Sequence, residues 1–356
     1  MSEVRVNLGP HSYSVHIERG LIDRAGSLIP GEPSKVAAVA DTHAYELFGA
    51  RIKSSMAPGP EYCEILISPG EQAKSMAESE RLAERLAQEQ IRRDDLLITI
   101  GGGVASDLGG FVGSTYSRGI AVAHIPTTLV GQVDAAIGGK TGVNLAGGKN
   151  LIGTIHQPVA VVCDPETLLT LPEREFRSGM AEVVKYGLTL DIELLEILES
   201  SAGRILSRDL TLLEEVVKRC VKAKARIVEA DEKDQSQRAV LNYGHTFGHA
   251  LEAAAGYGSL THGEAISVGM VFAAELGVES GISGEELPRT HRRLLQLYGL
   301  PVDAEFDRDL LLTSMRLDKK HRSGMRWVLL RGVGAPETFS GIADDAIERV
   351  MKRIAR

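Results

Sequence analysis

Asp94-Asp-Leu-Leu-Ile-Thr-Ile-Gly101-Gly-Gly-Val-Ala-Ser-Asp107 is the run on which the reading of the fold turns. Its apolar first half is a short strand, which runs straight into three glycines and a helix-like segment carrying Asp107. Such a turn lets backbone N–H groups and a helix N-terminus approach a pyrophosphate. An ordinary tight strand-to-helix turn would look the same. The run lacks the Gly-x-Gly-x-x-Gly fingerprint and follows the third strand, so it departs in detail from the standard dinucleotide-binding arrangement.

Outward from this run, residues 1–30 alternate like edge strands, through Val4, Val6, Tyr13, Val15 and Ile17. Lys35–Asp41 is a short buried strand ending in an acid, residues 62–68 are a second strand, and residues 73–90 are a helix. Residues 120–126 and 159–164 read as further strands. Strands alternating with helices imply a Rossmann-like α/β domain, a parallel sheet with helices on both faces. After Leu171-Pro172 helix-period stretches take over, at 180–190, 210–230, 241–255, 263–280 and 343–354. The expected organisation is an α/β domain over 1–175 and a mainly α-helical metal- and substrate-binding domain over 176–356. A cleft between two domains is the usual place for a ligand.

The 356 residues are enough for two domains, and a net charge of −8 argues against general nucleic-acid or membrane-surface binding. Three widely spaced cysteines, Cys63, Cys163 and Cys220, point to a reducing compartment without a disulfide framework. The start, Met1-Ser-Glu-Val-Arg-Val6, has no apolar signal core, and no 18-residue apolar run occurs. A cytoplasmic protein with no nucleic-acid or membrane partner is expected.

Asp41, at the carboxyl end of its strand, is placed to accept from ribose hydroxyls or is simply a surface acid. Gly138-Gly-Lys-Thr141 resembles the end of a P-loop, but Asp134 stands where the first glycine is needed and no strand runs into it. An NTPase is therefore rejected. Asp134, Lys140, Lys149 and Asn150 lie among Gly138, Gly139, Gly142, Gly147 and Gly148, which reads as anion contact by unobstructed lysines.

The helical half is centred on Leu241-Asn-Tyr-Gly-His-Thr-Phe-Gly-His-Ala-Leu-Glu252. His245 and His249 are four apart, hence on one helix face, and Gly244 and Gly248 admit a close backbone or ligand. Thr261-His-Gly-Glu264 fits a capping box, with His262 at the first helical position. The helix dipole there disfavours imidazolium and keeps His262 neutral, as a metal ligand must be. Paired histidines are also common in cores, and which of the three ligate is open at this point. Glu182, on one face with Lys185, is four residues after Ser178 and fits a metal-ligating role better than a capping role. Lys224, Asp234, Arg238, Asn242 and the Asp318-Lys-Lys320 run suggest a small substrate with several negative groups.

Together these residues resemble the 3-dehydroquinate synthase family, from Asp41 to Lys320. The carrying segments are Pro-Gly-Glu-Gln-Ala-Lys (69–74), Gly-Gly-Gly-Val-Ala-Ser-Asp (101–107), Arg-Gly-Ile (118–120) and Pro-Thr-Thr (126–128). Gly-Gly-Lys-Thr (138–141), Gly-Lys-Asn (148–150), Gly-Met-Ala-Glu-Val-Val-Lys-Tyr-Gly (179–187), Leu-Asn-Tyr-Gly-His-Thr-Phe-Gly-His (241–249) and His-Gly-Glu-Ala (262–265) complete them. The resemblance implies an NAD- and zinc-dependent homodimer, with cobalt as a substitute metal. It would convert 3-deoxy-D-arabino-heptulosonate 7-phosphate into 3-dehydroquinate by transient oxidation, phosphate elimination, re-reduction, ring opening and aldol closure.

It further implies that Glu182, His245 and His262 hold the metal while His249 faces substrate. NAD would meet Asp41, Glu71, Lys74, Gly103, Val104, Ala105, Ser106, Asp107, Thr127, Thr128, Lys140, Lys149, Thr167, Leu168, Leu169 and Thr170. Substrate would meet Asp134, Lys140, Asn150, Lys185, Lys224, Arg238, Asn242, His249 and Lys320, with Arg118 reaching in from a partner subunit. Ser106, the Thr154-Ile155 pair and Asp234 depart from the family pattern; the last touches one contact near Arg238. The rivals are another sugar-phosphate cyclase, a metal-dependent polyol dehydrogenase and a catalytically dead metabolite binder.

Overall fold

The computed structural model describes residues 2–145, 147–256, 259–317 and 325–356. The chain divides into two units, Met1–Leu171 with Leu210–Lys233, and Pro172–Asp209 with Asp234–Arg356.

The first unit contains β1 (Ser2–Val6), β2 (Tyr13–Ile17), β3 (Lys35–Asp41), β4 (Glu61–Ile67), β5 (Leu96–Gly101) and β6 (Ala121–Pro126). It continues with β7 (Lys140–Leu145), β8 (Gly148–Ile155) and β9 (Ala160–Cys163), and has helices α1 (Thr42–Ser55), α2 (Met76–Gln88) and α3 (Gly103–Thr115). Seven strands form one sheet in the order β1-β2-β9-β6-β5-β3-β4. All pairs are parallel except β1 with β2. Every residue of β5 is buried, as a strand covered on both faces requires. Val36, Ala38, Ala40, Ile98 and Ile100 pack with Phe48 and Ile52 of α1 on one face. Ala37, Val39, Leu97 and Val122 pack with Leu82 of α2 and Leu108 and Val112 of α3 on the other. The fold is therefore a doubly wound α/β sheet, in which the chain steps outward from β3 to β4 and then crosses back to β5. Between β3 and β5 the winding reverses, and a ligand crevice opens at carboxyl strand ends where that happens.

The second unit is mainly helical: α4 (Glu173–Thr189), α5 (Ile192–Ser200) and α6 (Ala202–Leu206) precede α7 (Leu210–Ala230) in the chain. Then follow α8 (His245–Ala254), α9 (His262–Glu279), α10 (Glu286–Leu297), α11 (Arg308–Leu317), the hairpin β10 (Arg326–Leu330) and β11 (Pro336–Ser340), and α12 (Asp344–Ile354). Among the described residues no helix is long and apolar enough to cross a membrane.

Three sequence expectations change. The helix α7, assigned to the helical half, belongs to the first unit, where its stripe of Leu213, Val216, Val217, Cys220 and Val221 is buried and it packs on β1 and β2. Residues 241–255 are not one helix, because Gly244 is left-handed at φ +79° and α8 begins only at His245. A Cβ at Gly244 would meet the Met270 backbone nitrogen at 2.8 Å, so the break is held by packing against α9. Residues 140–155, read only as a glycine-rich lysine segment, form the hairpin β7–β8.

Candidate active site

Helices α4, α8 and α9 of the second unit bring three donors together. Glu182 Oε1 lies 3.5 Å from His245 Nε2 and 3.3 Å from His262 Nε2. Tetrahedral bonds of about 2.0–2.1 Å separate neighbouring donor atoms by about 3.4 Å, so this spacing suits a zinc-sized cation. Glu182 is fully buried, its Oε2 against the Lys185 ammonium and its Oε1 facing the two imidazole nitrogens. A buried oxygen held between two imidazole nitrogens is costly unless a proton or a cation lies between them. His249, whose ring stands 5.1 Å from that of His245, groups instead with Glu252 and His262.

Close helix approach makes this geometry. A Cβ on Gly269 would sit 2.0 Å from the Gly244 carbonyl oxygen, and one on Gly248 would meet the Ala265 carbonyl oxygen at 3.0 Å. Thus the glycines of 244–248 admit the backbone of α9. Gly263 likewise presses on α4: its added Cβ would lie 1.9 Å from the Ser178 carbonyl oxygen, and its N–H donates to Ser178 Oγ at 3.0 Å. Ser178 therefore docks the start of α9 instead of capping a helix. The capping box Thr261–Glu264 is present, with His262 at the first helical position.

Burial alone would raise the Glu182 carboxyl, but Lys185, His245 and His262 hold it well below the carboxylate range. Lys185, itself buried, pairs with it directly. Burial and the Lys185 charge push His245 well below the usual histidine range, so it is neutral. His262 behaves differently from the dipole argument. Without a metal ion, burial lowers it, yet hydrogen bonds to Glu182 and Glu252 outweigh burial and push it up to about 9. Two carboxylates at contact distance exceed the partial charge of a helix end.

In the first unit, the residues expected to meet NAD, Lys140 and Lys149 apart, follow carboxyl strand ends. Asp41 ends β3, Glu71 and Lys74 follow β4, Gly101 ends β5 with Gly102 and Gly103 after it, Thr127 and Thr128 follow β6, and Thr167–Thr170 follow β9. Gly102 caps α3 without any side-chain bond, and the first intrahelical bond is Ser106 N–H to Gly102 O. The N–H groups of Gly103, Val104 and Ala105 thus lack intrahelical acceptors, while that of Ser106 is used. Ala105, Ser106 and Leu168 are buried, whereas Leu169 is half exposed. Asp41 Oδ1 already accepts from the Ala44 N–H.

Two polar pairs tighten this end. Lys74, 4% exposed, donates to Asp107 Oδ2 at 2.7 Å and to Asn150 Oδ1 at 2.6 Å. Lys224 of α7 donates to Asp134 Oδ1 and to its backbone oxygen, each at 2.6 Å. Gln132, missed in the sequence, is fully buried and donates to the Pro126 and Asp164 carbonyls, tying β6 to β9.

Among the described residues, the other expected site residues sit on several different elements. Lys140 faces Ile155 at one end of the β7–β8 hairpin, and Lys149 sits beside the tip where Gly148 opposes Leu145. The strand between is on the order of 15 Å long. Exposed Arg118, left-handed at φ +65°, precedes β6 and follows α3, so it stands at the amino end of the sheet. In the second unit Arg238 is buried on a 3₁₀ turn, while Asn242 and His249 are exposed. Lys320, with Asp318 and Lys319, lies outside the described residues.

A Glu-His-His donor set on packed helices, in a chain that also builds a doubly wound parallel sheet, defines a metal-site enzyme of α/β-plus-helical build. Residues 64–178 match the family model described as 3-dehydroquinate synthase N-terminal, and residues 179–321 the one described as 3-dehydroquinate synthase C-terminal. A 3-dehydroquinate synthase of Pelobacter propionicus is 43% identical over 339 residues, 94% of each chain. The chain belongs to the 3-dehydroquinate synthase family. A 2-deoxy-scyllo-inosose synthase, solved with carbaglucose-6-phosphate, NAD+ and Co2+, superposes with a TM-score of 0.89 at 25% identity, covering 99% of this chain and 100% of that one. A 2-epi-5-epi-valiolone synthase from Streptomyces hygroscopicus subsp. jinggangensis, solved with NAD+ and Zn2+, gives 0.88 at 27% identity, covering 99% and 98%.

Proposed function

We propose that the protein is a 3-dehydroquinate synthase that turns 3-deoxy-D-arabino-heptulosonate 7-phosphate into 3-dehydroquinate and phosphate. The observation that carries this reading is the buried Glu182 carboxylate with two imidazole nitrogens at metal-donor spacing, in a chain 43% identical to a relative of that name. When bound, a divalent cation supplies Lewis acidity toward substrate hydroxyls and NAD supplies a hydride acceptor that later returns the hydride. Glu182, His245 and His262 would hold the cation, leaving a coordination position for substrate. Lys185 keeps Glu182 ionised for that task. The N–H groups at the start of α3 would take the NAD pyrophosphate, and Asp41 the ribose.

Lys140, Asn150, Arg238, Asn242, His249, Lys320 and the Asp134–Lys224 pair would bind and orient the carboxylate, hydroxyl and phosphate groups of the substrate. Such positioning is worth about 7–11 kcal/mol of barrier. Arg118 stands at the amino end of its own sheet, which supports a role in the site of a partner subunit, in a homodimer.

The test is phosphate release from the heptulosonate phosphate with NAD present in catalytic amount. Multiple turnovers without NADH accumulation are expected, whereas stoichiometric NADH would mark a polyol dehydrogenase and sink the assignment. The related cyclases at 25% and 27% identity suggest a second reading, a cyclase of another sugar phosphate. Turnover of glucose 6-phosphate, the parent sugar of the carbaglucose-6-phosphate bound in the first of these cyclases, in preference to the heptulosonate would favour it.

A further inference from the structure

His262 offers one ring nitrogen to Glu182, and the other has a partner of its own. Glu252 lies on α8, three residues after His249 and seven after His245, so the three side chains share one helix face. Its carboxylate is buried, 5% exposed, and Oε2 stands 3.4 Å from His262 Nδ1. The His262 ring is thus bracketed by two carboxylates, Glu182 at Nε2 and Glu252 at Nδ1.

His245 has a matching arrangement. Its Nδ1 lies 3.1 Å from the Tyr243 carbonyl, which can only accept, so Nδ1 carries the proton and Nε2 points to Glu182. Tyr243 is itself anchored, its hydroxyl donating to His291 Nε2 at 2.7 Å while His291 Nδ1 donates to the Leu287 carbonyl. In both imidazoles an outer nitrogen donates to a fixed oxygen and the inner nitrogen faces the same carboxylate. Metal-ligating histidines are oriented in this way, and the outer partner is worth about 10–100-fold in metal affinity.

We propose that Glu252 is the positioning residue of the donor set, accepting the His262 Nδ1 proton and holding the ring with Nε2 toward Glu182. The inference rests on the reading of Glu182, His245 and His262 as the ligands. Glu252 is not a ligand itself in this arrangement, because His262 can present Nδ1 to it only as a donor while Nε2 serves the cation.

The experiment uses the full chain, with Zn2+ affinity measured against a chromophoric chelator and Co2+ substituted for its visible spectrum. Glu252→Gln keeps the size and removes the charge; about tenfold weaker Zn2+ binding and an altered Co2+ spectrum are expected, with the urea midpoint used to verify folding. Glu252→Asp, which withdraws the carboxylate by one carbon, is expected to lose at least as much and carries the comparison if the glutamine variant does not fold. Wild-type Zn2+ affinity in the folded variant overturns the proposal. His262→Ala separates the two claims: loss of Zn2+ there with unchanged binding in Glu252→Gln refutes only the positioning role, and retained Zn2+ refutes the ligand set.

Discussion

Replacing Gly263 with alanine tests how the donor set is held. The added Cβ would stand 1.9 Å from the Ser178 carbonyl oxygen, where ordinary contact needs about 3.5 Å, so α9 and α4 must part by roughly 1.5 Å. That carbonyl belongs to the interior of α4 and cannot swing aside without breaking its own helix. The same shift breaks the Gly263 N–H to Ser178 Oγ bond. Overpacking of this kind costs about 1–3 kcal/mol, offset by at most about 1 kcal/mol of helix propensity. A net loss of about 1–2 kcal/mol is expected in urea unfolding of the metal-free protein.

The same displacement acts on the metal donors, because His262 adjoins Gly263 and Glu182 lies one helical turn after Ser178. Their 3.3 Å separation would widen by up to the same 1.5 Å, whereas metal–ligand distances tolerate about 0.2 Å. Zn2+ affinity should therefore fall at least tenfold in a chelator competition. Wild-type stability together with wild-type Zn2+ affinity would refute the packing argument. A destabilised variant with unaltered affinity would show that the donors are not coupled through this contact.

Three further outcomes are expected. His245→Ala should abolish Zn2+ binding and turnover, while His249→Ala should keep the metal and slow the reaction; equal loss of metal in both, read by metal analysis, contradicts the ligand assignment. Burial holds His291 down at about 4 against an ordinary value of 6.5, so the unfolded chain takes up the proton first as pH falls. Its contribution is complete above pH 6.5 and is lost toward pH 4, on the order of 3 kcal/mol, so unfolding free energies at pH 7 and 4.5 should diverge less in His291→Gln than in the parent; an unchanged difference counts against it. Arg118→Ala should weaken substrate handling, and mixing it with a Lys185→Ala protein should restore activity if Arg118 serves a partner's site; no restored activity would argue for action within one subunit.

Much of this was legible from short-range pattern. The apolar runs at β3, β5, β6 and β9, the glycine turn before α3 and the capping box at Thr261–Glu264 are local features, specified by neighbours a few residues away. Their types and approximate limits follow from backbone hydrogen bonding and side-chain periodicity alone. Family motifs added an expected ligand set of Glu182, His245 and His262, where spacing by itself left three histidines open.

Other features were decided by surfaces that meet across the chain. The α7 stripe has the same period whichever unit it packs on, and it is the complementary surface of β1, β2 and the turns at 131–135 and 165–169 that assigns it to the first. The break before His245 depends on Met270 and Gly269 of another helix, so helix period at 241–255 could not reveal it. The metal-free charge of His262 is set by Glu252 and Glu182, which are ten and eighty residues away in sequence yet both touch the ring. Periodicity acts within a turn or two of chain, whereas donor convergence depends on how closely α4, α8 and α9 can approach, and glycines set that distance.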